Sequence, residues 1–90
     1  MSSSKSVCLG EPILRILVAT GKAGRLVARG TASGFVLLLR DGDQELTLEA
    51  RRGNVRYFKK LDTLAGYLRD IGAQHFEVEL GDWGDRPETN

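Results

Sequence analysis

The spacing of apolar residues changes period several times along this ninety-residue chain, and each change marks an element. In "GEPILRILVATGKAG", Ile13, Leu14, Leu17 and Val18 fall on one face at helical spacing, with Arg15 off that face. Pro12 suits a first helical position and Gly21 a left-handed stop, so a helix of about nine residues is expected. Ile16 and the β-branched content also fit a buried strand there. Ahead of it, Val7 to Leu9 reads as a short strand or an arm. The period then falls to two. "GRLVARG" and "FVLLLR" read as strands joined by a turn at Gly30 to Gly34, the second apolar enough to be central. Asp41-Gly42-Asp43-Gln44 is a hairpin turn, and "ELTLEA" puts Leu46, Leu48 and Ala50 on one face against Glu45, Thr47 and Glu49 on the other.

After a turn at Arg52-Gly53-Asn54, "VRYF" forms a further short strand that leads into a second helix. Asp62 is the expected cap, Leu61, Leu64, Ala65, Leu68 and Ile71 the buried stripe, and Gly72 the stop. Gly66 inside it costs about 1 kcal/mol relative to alanine. His75 to Leu80 alternates again, with Phe76, Val78 and Leu80 inward. The expected fold is therefore α+β, in the order α-β-β-β-(β)-α-β. A small antiparallel sheet of four or five strands has one face under two helices and the other wet. Residues 1–6 form a tail, 7–80 a single domain, and 81–90 an acidic C-terminal tail that contains Trp83.

Charge alters this plain picture. The net charge of +1 conceals a division, because residues 22–60 carry nine basic and four acidic side chains while residues 61–90 carry two basic and seven acidic. Such a charge dipole can steer an anionic partner or a second copy of the chain. The single cysteine, Cys8, allows no intrachain disulfide. The longest apolar run, Phe35 to Leu39, is far short of the roughly 20 residues that cross a bilayer. MSSSKS lacks the features of a signal peptide, so a cytoplasmic location away from membranes is expected.

Catalytic chemistry finds little purchase. His75 beside Glu77 could move protons, but an exposed histidine on an edge strand is ordinary. Cys8 has no base nearby in sequence, no cysteine and histidine cluster suggests zinc, and "DGDQE" suits a turn better than a calcium loop. Gly21, Gly24 and Gly30 match neither phosphate-loop pattern. No catalytic residue, metal, cofactor or small-molecule substrate is assigned. The basic set is more informative. Arg25 and Arg29 share a strand face, and Arg51, Arg52, Arg56, Lys59 and Lys60 surround the sheet-to-helix junction with Tyr57 among them. Five or six phosphate contacts from these would give salt-dependent nucleic-acid binding. Against this, Glu45 and Glu49 share the wet face, and the second helix offers only Arg69 against two acids. A protein partner is the competing reading, with Phe58 and Trp83 as candidate interface aromatics. A free edge strand would also allow a homodimer.

"SVCLGEPILRILVATGKAGRLVARG", "RRGNVRYFKKLDTLAGYLRDIG" and "HFEVEL" together resemble small partition-associated (ParC-like) or replication-associated proteins. These are encoded on plasmids and integrative elements near ParA-type partition ATPases. The resemblance spans Ser6 to Leu80. It implies a non-enzymatic accessory of DNA maintenance whose partner is DNA or a partition or replication protein. It carries no residue-level assignment onto these positions. Small mobile-element proteins also include inhibitors of host defence, which act on nucleic-acid-binding complexes without touching DNA.

Overall fold

Successive side chains in a strand point to opposite faces, so burial of Leu37, Leu38 and Leu39 together demands cover on both sides of the sheet. The computed structural model describes residues 6–51 and 54–81, and it shows that the two faces are covered by different means. Apart from Ser6 and Gly81, the two expected tails lie outside the described residues. The elements in order are β1 (Ser6–Leu9), α1 (Glu11–Ala19), β2 (Arg25–Thr31), β3 (Gly34–Asp41), β4 (Gln44–Arg51), β5 (Asn54–Val55), β6 (Tyr57–Phe58), α2 (Leu61–Asp70) and β7 (Glu77–Glu79). The main sheet runs β1-β4-β3-β2-β7, with β5 paired to β4 and β6 to the start of β3. Pairings β2–β3, β3–β4, β3–β6 and β4–β5 are antiparallel, whereas β1–β4 and β2–β7 are parallel.

The α+β class and the two helices are as expected, but the sheet has seven strands and is mixed. Hairpins build the antiparallel centre, which local turn signals predict. Each parallel edge instead closes around a helical crossover, α1 between β1 and β2, and α2 between β6 and β7. No local pattern encodes such pairings. "VRYF" is split into β5 and β6 because the chain changes partner there: Val55 pairs with β4, Arg56 still donates its backbone N–H to the Leu48 carbonyl of β4 at 3.0 Å, and Tyr57 and Phe58 pair with β3. His75 lies in the loop before β7, not on the strand. Val78 and Leu80, expected to point inward, are exposed, because β7 is a short edge strand that extends beyond the cover of the helices. Lys60, rather than Asp62, occupies the α2 N-cap, and it makes no side-chain capping bond.

Under the helices lies the larger core. Leu14 of α1 and Leu64 and Leu68 of α2 pack on Phe35, Leu37 and Leu39 of β3 and on Leu48 of β4. The expected α1 stripe is rotated: Leu14 is buried and Leu17 and Val18 half-buried, while Ile13 is exposed along with Ile16. A nine-residue helix on the sheet presents only a narrow contact line, and Ile13 falls outside it. On the opposite face Val27, Val36 and Leu38 form a second buried cluster, with Val55 packed against it. That face was expected to be wet; its centre is dry. Among the described residues no helix is long and apolar enough to cross a membrane.

The β2–β3 turn and the β6–α2 junction touch through Gly34. Its φ is +130°, and a Cβ built there would lie 2.5 Å from the Phe58 carbonyl oxygen. Gly42, at φ +61°, has open space around it. Gly34→Ala should therefore lose more than about 2 kcal/mol in urea denaturation, from strained backbone plus a backbone clash. Gly42→Ala should lose only about 1 kcal/mol, the ordinary left-handed cost.

Candidate interaction surface at the strand-to-helix junction

Strand register alone sets the geometry of the face away from the helices. Arg25, Val27 and Arg29 of β2 stand opposite Arg40, Leu38 and Val36 of β3. On the flanks, Glu45 of β4 lies beside Arg40, and Glu77 and Glu79 of β7 lie beside Val27 and Arg29. Arg29 donates to Glu45 (Nη2 to Oε2, 2.9 Å) and to Glu79 (Nε to Oε1, 3.1 Å). Arg40 donates to the same two carboxylates, Glu45 at 2.9 Å and Glu79 at 3.0 Å. The four side chains close a ring of alternating charge across four strands. In register terms, the Arg29–Glu45 bond crosses β3 at Leu38, and the Arg40–Glu79 bond crosses β2 at Val27. These are the apolar residues that end 2% and 0% exposed.

Electrostatics follow from that closure. Hydrogen bonds from Arg29 and then Arg40 hold the Glu45 carboxyl below its ordinary range, and Arg40 and then Arg29 do the same for Glu79. The guanidinium pKa values of Arg29 and Arg40 are raised in turn, chiefly by hydrogen bonds to Glu45 and Glu79 respectively. Arg25 is separately clasped by Glu77, at 2.6 and 2.9 Å, which lowers the Glu77 carboxyl. Thus Arg25 and Arg29 do share a face, as the spacing requires, but each is neutralised within the chain. Arg40, Glu45 and Glu79 were not among the expected site residues. The Arg40–Glu45 contact was accessible from the hairpin turn between them; the contacts to Glu79 depend on the parallel pairing of β7.

The remaining basic residues gather at the other end of β3. Arg56 is half-buried, with its guanidinium 4.7 Å from the Phe58 ring centroid and 5.0 Å from that of Tyr67. Such stacking holds a cation in place on aromatic faces. Phe58 and Tyr67 are themselves 5.5 Å apart. Burial raises the Tyr67 phenol pKa, and its hydroxyl is buried with no hydrogen-bond partner among the described residues. Tyr57 pairs with Val36 on the helix-free face and is 52% exposed. Phe58, expected as an interface aromatic, is instead a core residue at 3% exposure, because adjacent strand residues face opposite ways. Lys59 and Lys60 are exposed and form no ion pair among the described residues. Arg52, Trp83 and the side chain of Arg51 lie outside the described residues.

Arg56, Tyr57, Lys59 and Lys60 occupy one short segment, but Arg56 lies on the helix-covered side over Phe58 and Tyr67 while Tyr57 faces the helix-free side, and Arg25 and Arg29 are engaged elsewhere. Beside the lysines is a cleft of about 310 Å³ lined by Phe35, Lys59, Lys60, Leu61, Asp62 and Leu80. His75 lines two shallow clefts at the loop before β7, and the Glu77 carboxylate near it in sequence is engaged by Arg25. Among the described residues no three His, Cys, Asp or Glu side chains come together as a metal ion would need.

A family model described as ParC-like matches residues 10–87. The match extends beyond β7 and takes in Trp83, whereas the sequence resemblance ended at Leu80. No curated protein and no solved structure matches the chain.

The ring makes stability acid-dependent, with a definite sign. Carboxyls whose pKa is lowered by folding contribute fully above their unfolded value, about 4.3, and that contribution is lost as pH falls through the folded value. Denaturation midpoints should therefore fall between pH 6 and pH 3. Glu45→Gln should flatten part of that decline and cost about 1 kcal/mol at neutral pH, a value scaled for a partly solvated pair. An unchanged pH profile in Glu45→Gln would show that the ring does not stabilise the fold.

Proposed function

The chain belongs to the ParC-like family, and from that membership we propose that it is a non-enzymatic accessory of plasmid or mobile-element maintenance acting through the β6–α2 junction. Its contact there is with a protein of the partition apparatus. The residues assigned to that contact are Arg56, Tyr57, Lys59 and Lys60. The observation that carries this reading is the disposition of the arginines. Arg25, Arg29 and Arg40 are each bonded to a carboxylate of the chain itself, so the sheet face has no surplus positive charge from them. Among the described residues, two exposed lysines and one stacked arginine at the junction fall below the roughly six phosphate contacts that characterise strong backbone binding to DNA. An exposed tyrosine on a segment rich in arginine and lysine is, in contrast, the composition of a protein hot spot.

Direct DNA contact by the same residues is the second reading, favoured by the two exposed lysines. The inhibitor of a host complex is the third and would use the same surface. Titrating labelled duplex and single-stranded DNA at two salt concentrations separates the first two. The proposal expects weak binding with a salt slope no steeper than about −3. It also expects saturable binding to the partition ATPase encoded by the same element, weakened about tenfold or more by Tyr57→Ala with Lys60→Glu. Tight duplex binding with a slope steeper than about −5 would overturn it in favour of DNA.

A further inference from the structure

A sheet ends where its last strand has no neighbour, and the two ends of this one are protected unequally. β7 is three residues long and carries Glu77 and Glu79, whose carboxylates are bonded to Arg25, Arg29 and Arg40. Paired antiparallel with its own copy about Val78, it would set each Glu77 opposite a Glu79, a repulsive arrangement. Charge on an edge strand is a common device against such pairing. β1 has no such guard. Ser6-Val7-Cys8-Leu9 holds no charged residue and no proline, and it runs in unbroken register with Glu45 to Leu48 of β4, its one strand partner among the described residues. Leu9 is buried under the helices, so the exposed Cys8 stands on the opposite face, beside Thr47.

Next to that edge, α1 turns an apolar flank outward. α1 contacts β4 whereas α2 contacts β3 and β6, so α1 lies on the β1 side of the helical layer. Its inner flank is marked by Val18, whose Cγ1 would lie 3.8 Å from a Cβ built on Gly72 at the end of α2. Glu11 and Arg15 belong to that flank too: they are bonded to each other at 2.8 Å, and both act electrostatically on Tyr67 of α2. At 100° per residue, Ile13 and Ile16 fall about 140° and 160° round the helix from Val18. They are 52% and 57% exposed, on the side of α1 that faces away from α2. The unguarded strand edge and the uncharged helix flank are therefore neighbours.

We propose that this surface is the interface of a homodimer, in which β1 pairs antiparallel with β1 of a second copy about a two-fold axis at Cys8. Ile13 and Ile16 of the two copies pack together over the paired strands. A two-fold axis perpendicular to the sheet keeps all four helices on one face and makes the strand edge its own complement. A second copy suits the surface because neither side brings a charge that the other leaves unopposed. The patch holds about eight residues a side, on the order of 400 to 500 Å² per protomer, so the total stands near the roughly 1,000 Å² at which specific interfaces begin and the dimer is a reversible, micromolar one. Such a dimer carries two β6–α2 junctions on one particle, which raises avidity for a repeated partner. That consequence rests on the functional reading above; the pairing does not.

Charge placed at Cys8 makes the test specific. Sedimentation velocity of the full chain, kept reduced, should show monomer passing to dimer between about 10 µM and 1 mM. Cys8→Lys sets two ammonium groups opposite each other across the axis and should weaken association about fivefold or more. Cys8→Glu should weaken it likewise, and mixing the two variants should restore it, because an ammonium then faces a carboxylate. Misfolding would not be reversed by mixing, so the two variants control for each other. Ile13→Asp with Ile16→Asp should abolish the dimer over the same range while far-UV circular dichroism stays native. A parent chain that remains monomeric at the highest concentration would overturn the proposal. So would a dimer unchanged by Cys8→Lys or by the isoleucine substitutions, or a mixture of the Cys8 variants that associates no better than either alone. None of these readouts involves DNA or a partition protein, so failure here is distinguishable from failure of the functional reading.

Discussion

Leu38 is buried on a face of the sheet that no helix covers, and most of the chain's electrostatics follow from how it is kept dry. A ninety-residue domain has only enough helix for one side of its sheet. The other side must either be polar or find a different cover. Here Val27, Val36 and Leu38 remain apolar, Val55 closes one margin, and the Arg29–Glu45–Arg40–Glu79 ring extends over the rest. The long arginine stems are apolar along their length, so a guanidinium held flat by two carboxylates shields hydrocarbon while its charge stays solvated at the edge. Isolated surface pairs contribute little, but each member of this ring has two partners and all four are half-buried.

The same ring organises the charge distribution. Pairing of the sheet arginines with carboxylates leaves Lys59 and Lys60 as exposed cations at the β6–α2 junction. There Gly34 brings the β3 backbone against Phe58, and Arg56 is locked over Phe58 and Tyr67. Arg56 is thus ordered by aromatic stacking, while Lys59 and Lys60 stand exposed at the mouth of a cleft. Fold stability and surface chemistry are coupled through strand register: a one-residue slip of β2 against β3 would turn Arg25, Val27 and Arg29 under the helices and bring Leu26 and Ala28 to the helix-free face.

Much of the framework was legible in the residues. The Asp41-Gly42 hairpin, the inward Leu46 and Leu48 of β4 (though not Ala50, exposed where the β4–β5 register shifts), the stripe and glycine stop of α2, and the family resemblance in three separate stretches all rest on local chemistry. The junction was legible as a basic segment between strand and helix. What escaped were the parallel edges, the rotated stripe of α1, the burial of Phe58 rather than Tyr57, and the partners of Arg25 and Arg29. The pairings among these join residues far apart in the chain. β7 joins β2 in parallel, for example, only after α2 has carried the chain across the sheet.

Sequence by itself determined the elements and the list of charged side chains, because period, turn chemistry and residue type are local properties. Only the tertiary structure decided which of those charges remain available. Arg25 and Lys59 both read as free cations along the chain. Folding places the Glu77 carboxylate at 2.6 Å from the first and a cleft beside the second. A charge's availability is set by what lies across the strand, and register is a property of the whole sheet.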